Sequence, residues 1–159
     1  MKVIYPGSFD PITNGHLDII SRACKQFEHV VVAVLKNNNK KALFSIEERI
    51  ELIKESCKDL ENLEVDSFSG LLIDYAKMKE SKAIIRGLRA ISDYENEMQM
   101  SLANRYLSDE IETFLMVSGT DYTYLSSSLV KEIASFGGDV SNFVPTPVLK
   151  ALKTKFYKL

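Results

Sequence analysis

Histidine and cysteine are scarce in this chain, two of each among 159 residues, and no long apolar run occurs anywhere in it. One histidine in the active-looking part of the chain and two scattered cysteines do not make a metal centre. Cys24 and Cys57 fall at apolar positions of predicted helices, so small core residues are expected in preference to a disulfide or a reactive thiol. No segment has the apolar length that a bilayer-spanning helix requires. The first residues, "MKVIYPGSFD", carry one lysine and little apolar chain ahead of a proline, unlike a signal peptide. A cytoplasmic protein without membrane contact is the expectation. The formal charge of -2 lacks the basic footprint of a nucleic-acid binder, so any anionic ligand must be held by local positive groups. Two phosphate-binding signatures are also missing, the Walker A loop and G-x-G-x-x-G, which argues against a P-loop kinase and a conventional NAD enzyme.

What the chain does contain is an alternation of short apolar runs with longer helical patterns. The runs are 2–5, 29–35, 63–68, 82–86 and 111–117. Between them Leu17, Ile20, Cys24 and Phe27 recur at helical spacing, as do Ile46, Ile50, Ile53 and Cys57, and then Tyr94, Met98, Leu102 and Tyr106. Ser45 with Glu48 and Ser92 with Glu95 read as capping boxes that open helices. Gly137 and Gly138 close a helix begun near Ser127, and Pro147 opens a last one over 147–157. Strands alternating with helices imply parallel pairing through right-handed crossovers. The run Val30–Leu35 is apolar throughout and belongs inside the sheet, whereas the alternation Leu63, Glu64, Val65, Asp66 suits an edge. The expected architecture is α/β: one domain over 1–159 with a Rossmann-like, doubly wound, five-stranded parallel sheet and helices on both faces.

Ligands of such sheets bind beyond the carboxyl ends of the strands, where strand order reverses. The loops gathered there bring Ser8, His16, Lys40, Lys41, Arg86, Arg89 and the serines 126–128 to one side. In "PGSFDPITNGH" Gly7 allows a sharp turn and close approach of a ligand. Thr13 or Asn14 can cap the following helix, and His16 lies in its first turn. The positive end of that helix suits a phosphate and disfavours an imidazolium, so His16 is expected to be a neutral hydrogen-bond donor. Taken alone, the loop reads equally well as a capped turn with a surface histidine. Arg86 follows the apolar "AII", and its planar fork suits phosphate oxygens. Ser126–Ser128 can present hydroxyls and N–H groups at another helix start. A site rich in phosphate donors, without a covalent catalyst, suits transfer driven by positioning and charge stabilisation.

"YPGSFDPITNGH", "IIRGLRAISDYENEMQM" and "SSSLVKE" in register resemble the bacterial phosphopantetheine adenylyltransferases over nearly the whole chain. "TNGH" is similar to their H-x-G-H-type motif, with Thr13 at the first histidine position. The resemblance implies transfer of AMP from ATP to 4'-phosphopantetheine, giving dephospho-coenzyme A and pyrophosphate by direct attack of the acceptor phosphate. It implies His16, Lys40 and Arg89 as catalytic groups, with His16 at the α-phosphate. Ser8, often threonine in the family, would sit between nucleotide and acceptor. Lys40, Leu72 and Arg86 would take the acceptor. Phe9, Gly87, Leu88, Arg89, Glu97 and the stretch Tyr122, Thr123, Tyr124, Leu125, Ser126, Ser127 and Ser128 would hold ATP. By helical periodicity alone Glu97 would be an exposed residue and Leu72 a core one. The resemblance further implies Mg²⁺ arriving with ATP, a homohexamer, and feedback by coenzyme A. Two other readings compete: a related nucleotidyltransferase with another phosphorylated acceptor, and a non-catalytic nucleotide-binding module. "IRGLR" and "SSSLVKE" oppose the first, and the acceptor-side cations oppose the second.

Overall fold

The computed structural model describes residues 1–36 and 41–157. Five strands, β1 (Lys2–Gly7), β2 (His29–Leu35), β3 (Leu63–Phe68), β4 (Ala83–Leu88) and β5 (Glu112–Val117), form one sheet in the order β3-β2-β1-β4-β5. All neighbours are parallel. The order reverses between β1 and β4, which fixes where a crevice can open. β2 lies inside the sheet and β3 at its edge, as the hydropathy patterns require. On β3 the polar positions Glu64 and Asp66 share the Lys79 ammonium, at 2.6 Å each.

Alternation along the strands divides the apolar residues between two cores. Val3, Val30, Val32, Val34 and Ile85 face α1 (Asn14–Gln26), α2 (Ile46–Ser56), α5 (Ser127–Ser135) and α6 (Thr146–Tyr157). Ile4, Val31, Ala33 and Ile84 face the other way, toward α3 (Leu72–Met78). α4 (Ile91–Leu107) packs beside α3 on β4 and β5. Cys57 is buried and Cys24 half-buried, both reduced and both in the first core.

The helix ends match their signals with one exception. Ser45 and Glu48 form the expected capping box on α2. Gly137, at φ +85°, closes α5 by a Schellman turn, its N–H to Ala134 O at 3.1 Å and that of Gly138 to Ile133 O at 2.9 Å. α4, however, does not begin at a Ser92 cap. Its N-cap is Ala90, and Ser92 lies inside the first turn. Asp93 organises this end instead: its carboxylate accepts the Arg89 N–H at 3.2 Å, and its own N–H reaches Ala90 O at 3.0 Å. The residues that recur at helical spacing along α4 turn largely outward, with Tyr94, Leu102 and Tyr106 all exposed.

Two strands outrun their predicted ends, and this matters for the site. β1 takes in Pro6 and Gly7, and β4 takes in Gly87 and Leu88. Arg86 and Gly87 are therefore held by the sheet, with Leu88 paired to Val117 of β5, and not by a loose loop.

Candidate active site

A cavity of about 270 Å³ opens at the switch point, over the carboxyl ends of β1 and β4 and the N-termini of α1 and α5. Of the residues singled out in the sequence, Ser8, Phe9, His16, Arg86, Gly87, Arg89, Glu97, Leu125 and the three serines 126–128 line it. Loops more than a hundred residues apart in the chain thus meet, which is what the crossover topology does.

His16 is set by its own helix. Thr13 caps α1, its Oγ1 accepting the His16 N–H at 3.4 Å, while the Thr13 N–H donates back to His16 Nδ1 at 3.0 Å. A backbone N–H can only donate, so Nδ1 must be the bare nitrogen and Nε2 carries the proton. The capping box therefore chooses the tautomer as well as the ring orientation. Burial, and then the Arg89 guanidinium, lowers the His16 pKa to about 4, so the ring is neutral at ordinary pH. A neutral Nε2–H donor on the cavity wall is the outcome.

Phe9 supports this arrangement from below. Its ring is buried and meets His16 edge-to-face at 5.0 Å and Tyr5 at 5.4 Å. The backbone of Phe9 is left-handed, at φ 46°, an uncommon state for a non-glycine residue and one that gathers at functional sites. Gly7 makes room for this ring: an added Cβ would stand 2.9 Å from it. Gly7 thus ends β1 without a positive φ, so the sharp turn expected of it falls at Phe9, and it lines the cavity besides clearing space for an aromatic ring. At Gly87 an added Cβ would meet Ile19 Cδ1 at 2.5 Å, so a larger residue there would have to displace the tip of the Ile19 side chain.

Arg86 is not a free phosphate clamp. Glu97 grips it bidentately, Nε to Oε2 at 2.6 Å and Nη2 to Oε1 at 2.8 Å, and Nη1 reaches Pro6 O at 3.4 Å. This pairing raises the Arg86 pKa and aims the remaining N–H groups. Glu97 is accordingly not the exposed residue that periodicity suggests. Arg89 is anchored on the other side, Nε to Asp93 Oδ2 at 3.1 Å and Nη1 to Leu125 O at 2.9 Å. Ser126 caps α5 by accepting the Leu129 N–H at 3.1 Å, and Ser127 Oγ donates to Pro11 O at 2.7 Å.

Other candidates stand apart from the cavity wall. Leu72 begins α3 and packs on the second core. Leu88, Tyr122, Thr123 and Tyr124 do not line the cavity; Tyr122 packs on the first core and Tyr124 is exposed. Lys40 lies outside the described residues.

Several residues not singled out in the sequence prove important to the geometry. Asp10 is buried, its carboxylate accepting the N–H groups of Leu43 (3.0 Å) and Phe44 (2.9 Å) and the Lys131 ammonium (2.9 Å). Burial alone would raise this carboxyl, but Lys131 and the two N–H groups outweigh it and hold the pKa below the usual carboxylate range. Arg49 Nη1 reaches Ser8 O at 3.1 Å from the same side. Asp18 accepts the Gly119 N–H at 3.1 Å, fastening the turn after β5 to α1. The one sequence signal for Asp10 was an acid placed between Phe9 and Pro11; Asp18 gave none.

Residues 4–133 match the cytidylyltransferase-like family model. The chain is 55% identical to the phosphopantetheine adenylyltransferase of Finegoldia magna, covering 98% of this chain and 96% of that one. It is 57% identical to the enzyme of the same name from Alkaliphilus metalliredigens, covering 98% and 99%. A crystal structure of a Vibrio parahaemolyticus protein, assigned as a nicotinate-nucleotide adenylyltransferase, superposes with a TM-score of 0.69 over 95% of this chain and 97% of that one. At 14% identity that likeness speaks to the fold alone.

Proposed function

Because the chain belongs to the phosphopantetheine adenylyltransferases, within the cytidylyltransferase-like family, and is thus a nucleotidyltransferase, we propose that its cavity brings ATP and 4'-phosphopantetheine together for in-line transfer of AMP. The products are dephospho-coenzyme A and pyrophosphate, a step of coenzyme A synthesis. The observation that carries the mechanism is the tautomer of His16, whose Nε2–H is available to an oxygen of the α-phosphate.

In this reading the acceptor phosphate attacks the α-phosphorus directly while negative charge grows on its equatorial oxygens. His16 and Arg89 meet that charge, preorganised by Thr13 and Asp93. Arg86, aimed by Glu97, takes the acceptor phosphate together with Lys40, and Leu72 borders the pantetheine arm. Ser8 stands between the substrates. Gly87–Arg89, Glu97, the backbone of Phe9 and the stretch Tyr122–Ser128 hold the nucleotide.

Among the described residues no three His, Cys, Asp or Glu side chains cluster to cage a metal. The residues at the cavity do not fit a resident ion, and no step is assigned to one. Mg²⁺ is proposed to arrive on ATP, bound by phosphate oxygens and water. No helix among the described residues is long and apolar enough to cross a membrane. A cytoplasmic homohexamer of one-domain chains, open to feedback by coenzyme A, completes the proposal. The apolar side chains exposed on α4 support the assembly.

Pyrophosphate release from ATP, Mg²⁺ and 4'-phosphopantetheine tests the reading. Turnover with this acceptor is expected. Turnover only with another phosphorylated acceptor would sink it.

A further inference from the structure

We propose that the Tyr5 hydroxyl is a further binding group of this site, donating a hydrogen bond to a phosphate oxygen of a bound substrate. The inference rests on the nucleotidyltransferase reading above. Tyr5 is only 5% exposed and sits on β1 among residues that would be equally well served by phenylalanine. Among the described residues no hydrogen bond engages its hydroxyl. A hydroxyl that no group of the protein engages, on a ring otherwise buried, calls for a reason.

The oxygen is not sealed in. Among the described residues Thr113 Oγ1 is the only enclosed side-chain oxygen or nitrogen lacking a partner, so the Tyr5 oxygen keeps access. That access is to the cavity, which Tyr5 lines. The oxygen stands 3.4 Å from where a Cβ on residue 87 would lie, so glycine there leaves the space beside it clear. Phe9 packs edge-on against the ring at 5.4 Å and holds the hydroxyl in place before any ligand arrives.

The surroundings indicate what it meets. Arg86 and Arg89 both act on the phenol, opposed by Glu97 and Asp18. Glu97 is already committed to Arg86, and Asp18 to the Gly119 N–H and Arg22. Each carboxylate is thus matched by a cation, Asp93 holding Arg89 in the same way, and what remains for a guest is the N–H groups of Arg86 and Arg89 that these pairs leave unused. Burial, outweighing the two arginines, pushes the phenol pKa up, so the hydroxyl stays a donor at every working pH. A protonated donor lining the same cavity as two guanidinium groups fits an anionic phosphate oxygen.

Tyr5→Phe removes this oxygen and nothing else. ATP with Mg²⁺ and 4'-phosphopantetheine are titrated separately into the wild type and the variant by calorimetry, and the ligand-free proteins are melted. The expected result is a dissociation constant raised about tenfold for at least one phosphate ester, as one hydrogen bond to an anion commands. The ligand-free variant should melt at the same temperature or higher. Unchanged affinity for both ligands overturns the proposal and leaves the site reading intact. A ligand-free variant that melts lower overturns it too, since the hydroxyl would then serve the fold. A wild type that binds neither ligand overturns both this proposal and the site reading.

Discussion

His16 shows how one side chain is tuned by its neighbours. Its cap to Thr13 leaves the proton on Nε2, and burial with Arg89 keeps the ring neutral. A donor aimed at charge that develops only in the transition state contributes roughly 3 kcal/mol to it. His16→Ala is therefore expected to lower kcat about a hundredfold while ATP affinity changes far less; steady-state kinetics and ATP titration together check this. The pH dependence follows with a definite sign. The native pKa of about 4 lies below the value of 6.5 for a free histidine, so the unfolded chain takes up this proton first as pH falls. Stability from this group is complete above pH 6.5 and is lost on the way down to about 4. Denaturant titrations across that window should show a shallower acid decline for His16→Ala than for the wild type.

At the scale of elements, the site depends on loops being tied together. Asp10 joins the loop after β1 to the start of α2 through Leu43 and Phe44, and to α5 through Lys131. Arg49 of α2 then reaches Ser8. Replacing Asp10 by alanine leaves two N–H groups without their acceptor and a half-buried ammonium without its partner. The expected cost is about 3 kcal/mol, read as a lower midpoint of urea unfolding at unchanged slope. kcat/KM should fall as well, because Ser8 and Ser127 lie on the segments that Asp10 holds in register. Full stability in Asp10→Ala would remove this carboxylate from the account of the site.

For the molecule as a whole, α4 is the telling surface. Tyr94, Met100, Leu102, Tyr106 and Leu107 are exposed on it, with Phe114 and Val117 exposed on the neighbouring β5. Apolar surface of this extent marks a contact with another protein, and the proposed assembly would cover it. Light scattering on the wild type should give six chain masses. Leu102→Glu should shift the population to smaller species, because a charge in an apolar contact is left without a partner. A wild type that scatters as one chain would end the hexamer reading.

The positions of strands and helices were legible because hydropathy repeats at about 2.0 and 3.6 residues are local properties of the chain; the order of the strands was not, beyond β2 lying inside and β3 at an edge. The unbroken apolar run of β2, the alternation of β3 and the Ser45 capping box each carried its own signal. A local signal also misplaced the start of α4, where Asp93 took the role expected of Ser92, and the helical spacing of Tyr94, Leu102 and Tyr106 did not say which way they face. Periodicity reports that a face is apolar and not what covers it. In the opening loop, the prediction that His16 would be a neutral donor followed from helix polarity alone. Its tautomer, the grip of Glu97 on Arg86, and the placing of Asp10 and Tyr5 needed the folded chain. Asp10 meets Lys131 only when α5 closes on the first loop, and Tyr5 shares a cavity with Arg86 only because β1 pairs with β4. The Thr13–His16 cap and the Glu97–Arg86 pair are close in the chain, but which atoms meet is decided by three-dimensional geometry, which leaves no periodic trace in the sequence.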